Sequence, residues 1–183
     1  NIELANYYAN EYYQNPHGTY QASYSDAETT QRNLRIDLMH SFVIKYINNP
    51  PSSIQFLDVG CGEGFTLAFL DKLGWDVTGL DFSQHGIVKM NPHLLTKVRV
   101  GDIYQSLSVM KDSSETYDVI LLGNVLEHVL DPGFLINTLH KLLKDGGLLV
   151  ITVPNDFSSL QVSLQSIGCV ESPYWVAYPD HLN

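Results

Sequence analysis

The chain has 183 residues, 44% of them apolar, and carries 10 Lys and Arg against 20 Asp and Glu, for a formal charge of −10. That length suits one domain with room for a small lid, and it is enough to bury most of the apolar surface. An acidic protein offers no evident footprint for a phosphate backbone, which argues against DNA or long RNA as a substrate.

Residues 1–25 are polar and rich in tyrosine, with Tyr7, Tyr8, Tyr12, Tyr13, Tyr20 and Tyr24. They read either as a loosely ordered amphipathic arm or as a lid whose phenol rings exclude water and whose hydroxyl touches a substrate. Ser25-Asp-Ala-Glu28 has the capping-box pattern, so the main domain is taken as residues 26–183. Leu34, Leu38, Phe42 and Tyr46 recur every four residues and mark one apolar helical face, running to about Asn48. Asn49-Pro-Pro-Ser52 ends it.

Ile54 to Val59 reads as strand one. Asp58-Val-Gly-Cys-Gly-Glu-Gly64 then closes an apolar run and opens a helical one. Glycine takes φ > 0 and has no Cβ to hold a ligand away, so Gly60, Gly62 and Gly64 suit backbone lying against a small molecule. The spacing is G-x-G-x-G, not the G-x-G-x-x-G of a dinucleotide site, and no Lys-Ser/Thr follows to make a P-loop. Asp58 faces the same turn, where an anion repels pyrophosphate and attracts an ammonium group.

Phe65, Phe69, Leu70 and Leu73 form a helix stripe closed by Gly74, and Asp76 to Leu80 is strand two. Asp81 follows, about where an acidic residue holds ribose hydroxyls in nucleoside-binding α/β folds. Together these groups suit a ligand with an adenosine end and a cationic amino-acid end. Ser83 to Met90 is a short helix, Lys97 to Val100 strand three, and Asp118 to Leu122 an apolar strand four covered on both faces. Residues 103–116 carry no assignment. Asp131-Pro132 opens a helix that carries Phe134, Leu135, Leu139, Leu142 and Leu143 and that Gly146 terminates. Leu148 to Val153 is strand five, stopped by Pro154. The alternation predicts an α/β, doubly wound, parallel sheet ordered 3-2-1-4-5, with helices on both faces and a ligand at the carboxyl ends of the strands. Gly60, Asp81, Asp102 and Asn124 fall on that rim.

Five segments, Phe56-Leu-Asp-Val-Gly-Cys-Gly-Glu-Gly64, Val77-Thr-Gly-Leu-Asp-Phe-Ser83, Val100-Gly-Asp-Ile103, Tyr117-Asp-Val-Ile-Leu-Leu-Gly-Asn-Val-Leu-Glu-His128 and Leu143-Lys-Asp-Gly-Gly-Leu-Leu-Val150, stand in a telling order. They resemble the successive motifs of the class I S-adenosylmethionine-dependent methyltransferases, over roughly residues 50–156. The chain is similar to ubiquinone-pathway O-methyltransferases and to sugar-modifying members. The resemblance implies a Rossmann-like fold, S-adenosyl-L-methionine as cofactor, and methyl transfer to an oxygen, less readily a nitrogen, of a small metabolite. It implies that Asp58, Gly60, Cys61 and Gly62 line the cofactor site, that Asp81 accepts both ribose hydroxyls and that Asp102 accepts from the adenine amino group. The backbone of Ile103 would meet the ring edge, Phe82 or Ile103 would sandwich its face, and Asn124 would offer its backbone carbonyl.

The loop after strand four holds the candidate catalytic residues. His128 stands there as general base or acceptor-orienting group, since histidine titrates near neutrality, or else as a brace for the loop. Glu127 is a second catalytic candidate, or a loop-bracing carboxylate. Asn124-Val-Leu-Glu-His128 is similar to the Glu-x-x-Glu-His pattern with which some relatives hold magnesium, and Asp180-His181 falls where some supply a further ligand. Asn124 replaces the first carboxylate, which a hard cation favours, so no metal is expected. Two alternatives stand beside the small-molecule reading: an RNA 2′-O-methyltransferase with a magnesium-assisted site, and a cofactor-binding module without activity. Such enzymes usually continue through strands six and seven, absent here, and the chain begins at Asn1, so a fragment is expected. No apolar stretch approaches the roughly 20 residues that span a bilayer, no secretory signal is present, and two cysteines, Cys61 and Cys169, make neither a disulfide framework nor a zinc site. A reducing cytoplasm is the default location.

Overall fold

The computed structural model describes residues 23–47, 49–155 and 158–171. Its strands are β1 (Gln55–Val59), β2 (Asp76–Asp81), β3 (Val98–Val100), β4 (Tyr117–Gly123) and β5 (Leu143–Thr152). They pair in parallel in the order β3-β2-β1-β4-β5. The helices among the described residues are α1 (Asp26–Val43), α2 (Phe65–Lys72), α3 (His85–Met90), α4 (Ile103–Asp112), α5 (Pro132–Leu142) and α6 (Ser159–Ser166). Winding reverses between β1 and β4, and sheets of this kind bind ligands there, at the strands' carboxyl ends.

Successive side chains of a strand point to opposite faces, and the central strands here are apolar on both. Phe56, Val77, Val119 and Leu121 pack with Val43 of α1, Leu67 and Leu70 of α2, and Ile87 of α3. Leu57, Val59, Ile120 and Leu122 pack with Leu107 and Met110 of α4 and with Leu135 and Leu139 of α5. Helices therefore cover both faces, as the alternation predicts. Asp58 shares the parity of Phe56, so it faces the α1–α2 side.

At the opposite end of the sheet, buried Asp118 ties three segments together. Its Oδ1 accepts from the Asn49 side chain (3.0 Å), and its Oδ2 accepts from the Gln55 main-chain N–H (2.8 Å) and from Lys144 Nζ (2.7 Å).

The capping box at α1 forms as predicted: Ser25 Oγ accepts from the Glu28 N–H, and the Glu28 carboxylate accepts from the Ser25 N–H. The face of that helix differs from expectation. Leu34, Leu38, Phe42 and Tyr46 are all more than half exposed, while Ile36 and Val43 are buried. Four-residue spacing marks a stripe but does not say which stripe meets the core. The packed one carries His40, whose ring lies 5.5 Å from that of Trp75 and 6.2 Å from that of Phe69.

Two further corrections concern boundaries. The unassigned stretch 103–116 contains α4, capped by Asp102. Helix α5 ends at Leu142 instead of at Gly146. Leu143 pairs with Tyr117 and Lys144 is drawn to Asp118, so the chain is already a strand there. The register then shifts to Val119 opposite Leu148, and Gly146 and Gly147 occupy the irregular stretch between.

Candidate cofactor site

The turn after β1 is held by protein on every side. The main-chain N–H groups of Gly60 and Cys61 both donate to the Leu80 carbonyl (2.8 and 2.9 Å), and that of Gly64 donates to the Cys61 carbonyl (2.9 Å). Gly62 N–H donates to Asp81 Oδ2 (2.8 Å). The buried Asn91 side chain donates to the Glu63 carbonyl (2.7 Å). Gly60 has φ +80°, and a Cβ there would collide with Val125 from the β4 loop. A Cβ on Gly86 of α3 would lie 3.0 Å from the Gly62 main chain. These glycines let β4 and α3 close on the turn.

What the turn can bind depends on these hydrogen bonds. Phosphate sites need main-chain N–H groups aimed outward, and those of residues 60, 61, 62 and 64 are all committed inward. Three carboxylates, Asp58, Glu63 and Asp81, are buried beside it, and the cations Arg32 and Lys89 act on Glu63. The turn therefore suits a cation better than pyrophosphate.

Asp81 ends β2 with Oδ2 on Gly62 N–H and Oδ1 accepting from the Ser83 N–H (2.9 Å). Ionised carboxylate oxygens accept more than one hydrogen bond each, so bracing the turn is compatible with holding ribose. Asp58 is 4% exposed. Burial, and secondly the charge of Asp81, push its carboxyl up to about 7. Burial foremost, then Asp58 and Asp81, push the Cys61 thiol up as well, so Cys61 stays protonated and lines the turn as a neutral group.

On the adenine side, Asp102 is the N-cap of α4, with Oδ1 accepting from the Gln105 N–H (2.9 Å). Ile103 is buried in the α4–α5 core, and Phe82 packs against the same cluster. Asn124 is exposed, takes the left-handed conformation with φ 54°, and donates its N–H to the Thr152 carbonyl (2.9 Å). A short 3-10 turn, Leu126–His128, follows. Glu127 is buried, with Oε2 finding no hydrogen-bond partner among the described residues. Its Oε1 lies 3.8 Å from His128 Nε2, an ion-pair distance when His128 is protonated but too long for a hydrogen bond. Asp180 and His181 lie outside the described residues, and among those described no three metal-ligating side chains gather.

Sequence reasoning missed one cluster. The Tyr24 hydroxyl reaches both Glu63 oxygens (2.9 and 2.7 Å). The Arg32 guanidinium carbon lies 4.0 Å from the Tyr24 ring centroid and 3.9 Å from that of Phe65, a double cation–π contact. Burial raises the Glu63 carboxyl, against the opposing pulls of Tyr24, Arg32 and Lys89. Arg32 Nη1 is buried without a hydrogen-bond partner among the described residues. Glu63 stands inside the glycine run and Tyr24 closes the tyrosine arm, but nothing in their spacing pairs them. The remaining arm tyrosines lie outside the described residues.

Comparison with known proteins bears on the family and the fold. Residues 29–182 match the family model described as a methyltransferase domain. The chain is 30% identical over 141 residues to a ubiquinone biosynthesis O-methyltransferase of Pelagibacter ubique, covering 76% of this chain and 58% of that protein. It is 35% identical over 116 residues to the Colwellia psychrerythraea protein of the same name, covering 62% and 44%. Among solved structures, the plantazolicin methyltransferase BpumL in complex with a pentazolic desmethylPZN analog and SAH superposes with a TM-score of 0.57 at 22% identity, covering 77% of this chain and 53% of that one. The chain spans about half the length of the curated relatives it matches.

Proposed function

Because the chain belongs to the class I S-adenosylmethionine-dependent methyltransferases, we propose that it transfers a methyl group to a hydroxyl oxygen of a small metabolite. The observation that carries this reading is the inward commitment of the turn's N–H groups beside three buried carboxylates. That arrangement selects a cationic nucleoside over a phosphorylated one. Oxygen is favoured over nitrogen by the ubiquinone-pathway relatives, and a small acceptor by the acidic composition.

In this reading Asp81 holds the ribose hydroxyls, Asp102 and the main chain of Ile103 face the adenine edge, and Phe82 packs on its face. Gly60, Cys61 and Gly62 form the wall, and Asn124 presents its carbonyl. Glu63 and Arg32 offer opposite charges to the amino-acid end of the cofactor, itself a zwitterion. Bound there, S-adenosylmethionine supplies a methyl group on a positively charged sulfur. His128 takes the proton of the acceptor hydroxyl, with Glu127 beside it to balance the charge that histidine gains. Cys61 and Cys169 as free thiols suit a reducing cytoplasm. No helix among the described residues is long and apolar enough to cross a membrane.

The test is to incubate the protein with S-adenosylmethionine and panels of phenolic, sugar and amine acceptors, with product methylation read by mass spectrometry. Methylated hydroxyls are expected. His128→Ala should lower kcat by roughly 10²–10⁴-fold and leave cofactor affinity within about threefold. Unchanged turnover in His128→Ala would remove the base assignment, and product only from amines would move the acceptor to nitrogen. Stronger binding of NAD than of S-adenosylmethionine would overturn the reading as a whole.

A further inference from the structure

Asp58 and Asp81 are both buried at the glycine turn, yet they are treated differently by their surroundings. Asp81 has a main-chain N–H on each oxygen. Asp58 meets two influences that both oppose its ionisation, burial first and then the charge of Asp81, with no hydrogen bond among the described residues to offset them. Its neighbour in register on β2 is Gly79, which has no side chain. The space above Gly79 is filled by Cys61 Sγ and Leu67 Cδ1, which lie 2.7 and 2.8 Å from where a Cβ would stand. A thiol is only a weak donor and leucine has none, so neither solvates a carboxylate well. The charged groups that act on Asp58 are few: Asp81 from the end of β2, with the neutral Cys61 thiol beside both. Arg32 and Lys89 act on Glu63. A buried carboxylate in this situation lacks a counter-charge, and ionises readily only when a cation arrives.

Resting on the cofactor reading above, we propose that Asp58 distinguishes the sulfonium cofactor from its thioether product: its carboxylate is ionised while the sulfonium occupies the site and takes up a proton when the neutral thioether is left behind. Both ligands carry an ammonium and a carboxylate, so they differ by the sulfonium charge and the methyl group. Among buried groups such as Asp58 and Asp81, interactions between charges are weakly screened, so that one charge reaches Asp58 without contact. Methyl transfer thus removes the sulfonium and leaves only the ammonium that both ligands share, so ionised Asp58 is less favoured and the site's hold on the spent cofactor weakens.

Calorimetric titration of the whole chain with S-adenosylmethionine and with S-adenosylhomocysteine, between pH 5.5 and 7, tests this. An α-amino group with its ordinary pKa of roughly 7.7–8.0 stays protonated across that window. S-adenosylmethionine affinity should fall about tenfold from pH 7 to pH 5.5, with proton release seen as a buffer-dependent heat, while product affinity falls less than about threefold. Asp58→Asn should abolish the difference in slope. Should that variant not fold, the carboxyl of Asp58 can be followed in the wild-type protein by carbon NMR. It should titrate near neutrality without ligand, shift down with S-adenosylmethionine, and shift much less with the product. Parallel pH dependence of the two ligands, an unchanged slope in Asp58→Asn, or a carboxyl insensitive to the ligand's charge would each overturn the proposal. Failure of both ligands to bind would instead remove the cofactor reading on which it rests.

Discussion

At the level of single residues, the site is a set of carboxylates with separate tasks. Asp81 both braces Gly62 and stands where ribose is expected, and a hydrogen bond to a charged group contributes roughly 1.5–3 kcal/mol. Asp81→Ala should therefore weaken S-adenosylmethionine binding at least tenfold by calorimetry; an affinity within twofold of wild type would show the residue to be a brace alone. Asp58 also makes stability depend on pH. Its folded pKa lies above the unfolded value, so the native state binds more protons between about pH 4 and 7. Stability of the ligand-free protein should fall as pH rises through that window. Thermal melts of wild type and Asp58→Asn should differ in slope there and run parallel below it. At Gly60, alanine would face both a left-handed backbone and Val125, so Gly60→Ala should cost at least about 2 kcal/mol in urea denaturation.

At the level of elements, α1 offers a direct test of which face packs. Ile36→Ala should cost about 2–4 kcal/mol, as burial requires. Leu34→Ser, on the exposed stripe, should stay within about 0.5 kcal/mol in the same denaturation experiment. Strands and their order were readable from the chain because each central strand is apolar on both faces and each is followed by a helix signal. The carboxylate at the end of β2 and the turn after β1 were readable for the same reason, since topology alone puts them on one rim. What could not be read was whatever depends on tertiary choice. Helix α4 has a cap at Asp102 and buried residues at Ile103, Leu107 and Met110, but Tyr104, Gln105, Ser106 and Ser108 blur its periodicity. The exposed Leu34, Leu38 and Phe42 of α1 outnumber its buried Ile36 and Val43 and point to the wrong stripe. Gly146 carried a helix-stop signal that Asp118 overrides by pulling Lys144 into the sheet. The Tyr24–Glu63–Arg32 cluster joins residues up to 39 positions apart, beyond the reach of any local pattern.

Across the whole molecule, the carboxyl-end rim gathers Gly60, Asp81, Asp102 and Asn124 while the opposite end is locked by Asp118. Ligand binding should stabilise this arrangement as a unit. S-adenosylmethionine at a hundredfold excess over its Kd should add about 2.7 kcal/mol to unfolding, read as a rise in Tm that the same excess of NAD does not reproduce. The turn after β1 also has a dynamic consequence. Its amide protons are already engaged by Leu80, Cys61 and Asp81, and α3 and Val125 press on it from outside. Deuterium should accordingly enter residues 60, 61, 62 and 64 slowly before any nucleoside is added, and cofactor should change that rate little, because this cradle is finished in advance.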